Sequence, residues 1–151
     1  MTASNVRIAI VGLDHWYSAF PFAESVAARP DATLVAIAEA QEERARELAS
    51  RVGVDRVVAD VSELLADAEI DAVASFINTA HNPSVCVAAA RAGKHLLSVK
   101  PLARDLGGAS QILEAVRASG TVFLPAESRG RLADQAQTLK RWLAEGRLGQ
   151  P

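Results

Sequence analysis

The sequence predicts an α/β protein: a Rossmann-type, doubly wound parallel sheet in three layers, with strand order 3-2-1-4-5-6. Three features point there. Val6-Arg7-Ile8-Ala9-Ile10-Val11-Gly12 is a nearly unbroken run of apolar, mostly β-branched or small residues that closes on glycine, the pattern of a strand buried on both faces. Further runs of this kind, at residues 32–38, 57–58, 72–77, 95–99 and 121–124, alternate with stretches of helical periodicity. Strands that alternate with helices join as parallel neighbours through right-handed crossovers, and two three-strand halves meet at the first and fourth strands.

The first strand ends at Gly12, where the chain must turn sharply. His15 to Ala19 read as an extended entry loop, and Pro21 falls in the first turn of a helix that runs to about Arg29 and stops before Pro30. Ala32 to Ala38 is the second strand, with Glu39 at its end. Glu42 to Arg51 is a charged helix whose Ala45, Leu48, Ala49 and Val52 share one face, stopped by Gly53. Val57-Val58 is a short third strand, and Ser62 is expected to cap a short helix from Glu63 to Ala66. Ala72 to Ile77 is the fourth strand; Asn82 as cap and Pro83 as first helical residue then open a helix that ends at Gly93. His95 to Val99 is the fifth strand, Asp105 to Ala118 a helix stopped by Gly120, and Thr121 to Leu124 the sixth strand. The tail from Leu132 to Glu145 is amphipathic, with Leu132, Ala136, Leu139 and Leu143 on one stripe.

Composition narrows the function classes. Half of the 151 residues are apolar and 23% are charged, as in ordinary globular domains. A net charge of −2 with dispersed basic residues gives no electrostatic footprint for nucleic acid or an anionic membrane. No apolar run approaches the roughly 20 residues that span a bilayer. The N-terminal residues lack the basic region and apolar core of a secretory signal. The single cysteine, Cys86, cannot form an internal disulfide, so a cytoplasmic setting is expected, and its neighbours Val85, Val87 and Ala88 make it a small buried hydrophobe rather than a nucleophile.

A first strand that closes on glycine is how a dinucleotide-binding βαβ unit begins. Gly12, Leu13, Asp14, His15 and Trp16 are the residues of that turn, and its backbone and the helix amides beyond it are expected to hold a pyrophosphate. The alternative at Gly12 is a tight turn with no ligand. Asp14 and Tyr17 stand where the second and third glycines of G-x-G-x-x-G belong. A carboxylate about 5 Å from a phosphate charge costs roughly 3 kcal/mol at an effective dielectric of about 20. A helix N-terminus returns at most about 2 kcal/mol. Binding therefore requires Asp14 to point away, or donors such as His15 and the Trp16 indole to compensate, and removing the acid is expected to tighten binding. Glu39 stands farther from Gly12 than the usual interval of about 20 residues, because the entry loop is long. At a strand end it can accept from the adenosine ribose, which favours NAD; Arg44 and Arg46 could instead hold the 2′-phosphate of NADP, and a solvated acid at a helix start is the third possibility. Ile77, Asn78, Thr79 and Asn82 follow the fourth strand and face Gly12 across the crevice where ligands lie in such sheets, although Asn82 could serve only as a helix cap. Asp14, His15 and His81 share that rim, but their spacing matches no metal motif, and no metal site is assigned.

Across most of its length the chain resembles the N-terminal half of the glucose–fructose oxidoreductase / inositol dehydrogenase / MocA family. The resemblance is carried by the Gly12 turn, Glu39, Glu43-Arg44-Ala45, Ala92-Gly93-Lys94-His95-Leu96-Leu97 leading into Lys100-Pro101-Leu102-Ala103, and the tail Leu143-Ala144-Glu145-Gly146-Arg147-Leu148-Gly149-Gln150-Pro151. It implies an NAD(P) cofactor, with Lys100, beside Pro101, near the nicotinamide and the substrate hydroxyl as an aid to proton transfer. A lysine can do this when desolvation lowers its pKa; the bland alternative is a lysine that snorkels from a strand end. The family's Glu before this lysine is Val99 here, and its Thr-Pro-Asn and His are replaced at Asn78 and Asn82. Arg131 matches a family arginine after the sixth strand.

These readings imply an NAD(P)-binding domain over residues 1–125, followed by a linker and first helix over 126–151 that lead to a second, substrate-binding and oligomer-forming domain. The expected function is the nucleotide-binding half of an oxidoreductase that removes hydride from a sugar, polyol or similar hydroxyl compound, inactive alone. Its expected partners are the dinucleotide, a small-molecule substrate and, in some assemblies, further copies of the chain. The alternative is a non-catalytic Rossmann module for assembly or ligand sensing, which Asp14, Tyr17 and Val99 favour.

Overall fold

The computed structural model describes residues 5–125 and 134–149. Six parallel strands form one sheet in the order β3-β2-β1-β4-β5-β6. They are β1 (Val6–Val11), β2 (Ala32–Ala38), β3 (Val57–Val58), β4 (Ala72–Ser75), β5 (His95–Ser98) and β6 (Phe123–Pro125). The helices between them are α1 (Trp16–Ala27), α2 (Glu42–Val52), α3 (Val61–Leu65), α4 (Asn82–Arg91) and α5 (Leu106–Ser119), with α6 (Asp134–Ala144) after the sheet. The expected class and strand order are observed. Arg131 and Leu132 lie outside the described residues.

Alternation along each strand separates two cores. Ala9, Val11, Ala36, Ala38 and Val73 face α3, α4 and α5, whose Leu64, Val85, Cys86, Ala89, Ile112 and Ala115 close over them. Ile10, Ile37 and Ala74 face the other way, against Ala19, Ala23 and Val26 of α1 and Ala45, Leu48 and Ala49 of α2. Removing a side chain such as Ile10, Leu48 or Phe76 fully from water contributes about 1.5–3 kcal/mol each. α1 and α2 lie over the β1–β3 half, as their contacts with β2 and β3 show. On that same face the β4–β6 half has no helix of its own among the described residues. An apolar groove there is lined by Phe22, Leu97, Val122 and Leu124.

Three local expectations are corrected. α1 begins at Trp16, with Pro21 inside it, rather than after an extended loop. The first turn forms early because the Ser18 and Ala19 amides both donate to the His15 carbonyl, at 2.9 and 3.0 Å. Pro21 removes only the bond its amide would give to the Tyr17 carbonyl, and Tyr17 is half-exposed, within reach of water. The short helix α3 is capped by Asp60, whose Oδ1 accepts from the Ser62 amide at 2.8 Å, so Ser62 is a first-turn residue and not the cap. Asn82 does not cap α4: its side chain is buried and turned into the molecule. Asn78 satisfies that turn instead, its carbonyl accepting from the His81 and Asn82 amides at 3.2 and 3.0 Å.

The Gly93-Lys94-His95 block has a structural explanation. Lys94 is 94% withdrawn from solvent, and its Nζ donates to the carbonyls of Asp67 (2.5 Å) and Ile70 (2.8 Å), which pins the loop before β4. His95 Nδ1 accepts from the Val122 amide at 3.0 Å and so registers the approach to β6. A buried ammonium is tolerable only with such acceptors. Lys94→Met is expected to lower stability by about 1–3 kcal/mol in urea unfolding, since two carbonyls lose a donor. Dinucleotide affinity is expected to stay within twofold, because these contacts lie on the opposite end of the sheet from Gly12; a large loss of affinity with unchanged stability would reverse the assignment.

Candidate functional site

The carboxyl ends of β1, β2 and β4 enclose a cleft of about 390 Å³, lined by residues that include Gly12, Asp14, Glu39, Asp60, Ile77 and Asn78. It lies where the two halves of the sheet diverge, the crevice in which open parallel sheets hold their ligands. Gly12 makes the cleft possible. It has φ +73°, and a Cβ there would stand 2.9 Å from Ile77 Cβ and 3.0 Å from Ile77 Cα. The loop after β4 is therefore laid directly on the glycine, which is needed for close packing between strands as well as for approach of a ligand.

Five hydrogen bonds shape the rim. The Leu13 amide donates to Glu39 Oε2 at 2.6 Å, and the Gln41 amide donates to Oε1 of the same carboxylate at 2.9 Å. Glu39 is thus locked at the end of β2 with one edge against the glycine turn. Across the cleft Asp14 Oδ2 accepts from both the backbone amide (2.7 Å) and Nδ2 (2.9 Å) of Asn78, a clasp between the turn after β1 and the loop after β4. The Asp14 carboxylate is turned to that loop, and removing it would also release Asn78. The His15 amide donates to the Phe76 carbonyl at 2.9 Å. The amides of Asp14, Trp16 and Tyr17 have no acceptor among the described residues, so this end of α1 keeps free donors at the positive end of its dipole.

The sequence candidates fall into three groups. Gly12, Asp14, Glu39, Ile77 and Asn78 converge on the cleft. Leu13 contributes only backbone, since its side chain is fully buried in the α1–α2 core. His15 and Trp16 stand at the start of α1, where His15 Nδ1 and the Tyr17 hydroxyl are 2.9 Å apart and Trp16 is exposed. Thr79 is half-buried in the turn that follows. Lys100 and Pro101, joined by a cis peptide bond, follow β5 on the same edge of the sheet, exposed and beyond the buried Val99. Lys100 makes no hydrogen bond or ion pair with a described side chain. Asn82 lies below the rim, bonded to Ser75, Ser98 and Leu102. Of the two arginines weighed for a 2′-phosphate, Arg46 is paired with Glu42 on the outer face of α2, whereas Arg44 Nη1 stands 3.5 Å from the Leu13 carbonyl oxygen. Among the described residues no group of three or more His, Cys, Asp or Glu is placed to hold a metal ion, and no helix is long and apolar enough to cross a membrane.

Sequence reasoning missed Ser75 and Ser98. Each is the last residue of its strand, and the two are paired in register between β4 and β5; two serines at matched strand ends were the available signal. It also missed Asp60 on the cleft wall. Cys86, as expected, is a buried thiol, and burial pushes its pKa up to about 11, out of the range of a nucleophile at neutral pH.

Gly12→Ala is expected to destabilise the protein by about 2 kcal/mol or more, from positive φ combined with the clash on Ile77, and to abolish dinucleotide binding in calorimetric titration. Wild-type affinity in a folded Gly12→Ala protein would show that the close approach has no bearing on the cleft.

Comparison with known proteins agrees with this geometry. Residues 6–126 match the model of an oxidoreductase family described as having an NAD-binding Rossmann fold. The chain is 29% identical over 146 residues to myo-inositol 2-dehydrogenase of Thermotoga maritima, covering 97% of this chain and 43% of that protein. It is 36% identical over 119 residues to 1,5-anhydro-D-fructose reductase of Ensifer adhaerens, covering 78% of this chain and 35% of the relative. Among solved structures it superposes with a TM-score of 0.75 and 26% identity on GenD2 from gentamicin A biosynthesis in complex with NAD, covering 83% of this chain and 35% of that one. The chain spans less than half the length of the curated relatives it matches.

Proposed function

The chain belongs to this oxidoreductase family with an NAD-binding Rossmann fold, and from that premise we propose that it binds NAD in preference to NADP, as the nucleotide-binding half of a dehydrogenase for a polyol or sugar hydroxyl. The observation that carries the reading is the Glu39 carboxylate, held at the end of β2 by the Leu13 and Gln41 amides on the wall of the cleft. A carboxylate fixed there keeps lone pairs for ribose hydroxyls and repels a 2′-phosphate. Of the two arginines that could reverse this preference, Arg46 is engaged with Glu42, and Arg44 Nη1 stands at the Leu13 carbonyl.

The residues fit the cofactor. Gly12 gives the backbone room, the free amides at the start of α1 meet the pyrophosphate, and Ile77 with Asn78 forms the opposite wall. When bound, the dinucleotide supplies the hydride acceptor. Lys100, on the β5 edge, is the residue we assign to proton transfer at the substrate hydroxyl, and Asp14, clasped to Asn78, keeps both lips of the cleft in place. Substrate selection belongs to chain beyond the nucleotide site: residues 1–125 are the proposed cofactor domain, and 126–151 a linker and first helix that lead to a substrate domain. The reading extends to a cytoplasmic protein whose copies associate.

Titration of the chain with NADH and NADPH, read by energy transfer from Trp16, tests this. NADH is expected to bind at least tenfold tighter than NADPH, and Glu39→Ala is expected to erase the difference. Equal affinity in the wild type would remove the NAD preference. No saturation by either at millimolar concentration would favour the second reading, a non-catalytic module, which Asp14, Tyr17 and Val99 in place of the expected residues support.

A further inference from the structure

Four polar residues are buried among those described: Ser75, Asn82, Lys94 and Ser98. Three of them form one network beneath the cleft. Asn82, 1% exposed, accepts at Oδ1 from Ser75 Oγ (2.8 Å) and from the Cys86 thiol (3.4 Å), and its Nδ2 donates to Ser98 Oγ (2.9 Å) and to the Leu102 carbonyl (2.8 Å). Every hydrogen-bonding position of the amide is used, and among the described residues no buried side-chain polar atom is left unsatisfied.

Core stability alone does not call for this arrangement, since an apolar group of similar shape is often as stable as a buried polar network. β1 and β2 end on Val11 and Ala38 in the same layer without one. What an apolar side chain could not do is tie the Leu102 carbonyl to the end of β5. Ser98 and Leu102 stand two residues before and two after Lys100. One amide therefore grips both feet of the arch that carries Lys100 and Pro101, while its Oδ1 fastens the arch to the end of β4. We infer that Asn82, with Ser75 and Ser98, is a positioning residue: it sets where the Lys100 backbone stands relative to the cleft. The inference rests on the reading of Lys100 given under Proposed function. Buried at 1% exposure, Asn82 acts through the arch. A displacement of about 1 Å at a reacting group is enough to cost about 10²-fold in rate.

The chain has three lysines, Lys94, Lys100 and Lys140, which makes a direct readout simple. Lysines are reductively methylated with ¹³C, the Lys100 resonance is assigned by its loss in Lys100→Arg, and NADH is added to saturation while Trp fluorescence reports binding. In the wild type the Lys100 resonance is expected to shift. In Asn82→Ala, NADH should bind within threefold of the wild-type Kd while the shift at saturation falls by at least half. A purely structural role would lower the melting temperature and leave that shift intact, and a full-sized shift in folded Asn82→Ala overturns the proposal. If Asn82→Ala does not fold, Ser98→Ala removes one anchor only; a partial loss of shift supports the inference, and an unchanged shift overturns it. A wild type that binds NADH without moving the Lys100 resonance fails differently: it removes Lys100 from the nicotinamide, and the proposal falls with that reading.

Discussion

The contact on which the site depends is Gly12 against Ile77. With 2.9 Å between the place of a Cβ on Gly12 and the Cβ of Ile77, the turn after β1 and the loop after β4 are laid against each other at the point where the strand order reverses. That proximity lets Asp14 reach Asn78 across the cleft and brings the His15 amide to the Phe76 carbonyl. It also places the first turn of α1, with its free amides, directly after this contact. A larger residue at position 12 would separate the lips, and each of these bonds spans them.

The same rim explains how an imperfect glycine signature serves a nucleotide-binding family. A carboxylate in place of the second glycine opposes phosphate by roughly 3 kcal/mol if it faces the ligand at about 5 Å. Here both contacts of Asp14 Oδ2 go to Asn78, so the acid is engaged on the far lip while the backbone donors stay open. Tyr17, in place of the third glycine, is half-exposed with its hydroxyl at His15, outside the packing between α1 and the sheet. α1 approaches the sheet through Ala19, Ala23 and Val26 instead.

Much of this architecture was legible in the sequence because strands buried on both faces cannot be disguised. Val6 to Val11 and Ala32 to Ala38 are apolar wherever they face a core, and Gly53 and Gly120 mark helix ends with positive φ. What local patterns concealed were the side chains with long-range partners. Pro21 and Ser62 looked like helix-start residues, yet the first turn of α1 is set by His15 and the cap of α3 by Asp60. Asn82 looked like a cap because asparagine before proline is one in most contexts, and only the approach of Ser98 and Leu102, far along the chain, draws its amide inward. Glu39 was recognised at the cleft, but its bond to the Leu13 amide follows from β1 and β2 being neighbours and is invisible in spacing alone. Lys94, in one of the segments that carry the resemblance to the family, holds a loop far from the cleft.

The central claim is that a dinucleotide lies on the free amides at the start of α1, between the turn after β1 and the loop after β4. The most direct measurement is an amide ¹H–¹⁵N titration of the chain with NADH. Saturable shifts are expected at Asp14, Trp16, Tyr17 and Asn78, with Val122 and Leu124 on the open sheet face unmoved. Saturable binding that leaves the four rim amides silent, or that moves the sheet face instead, would contradict it.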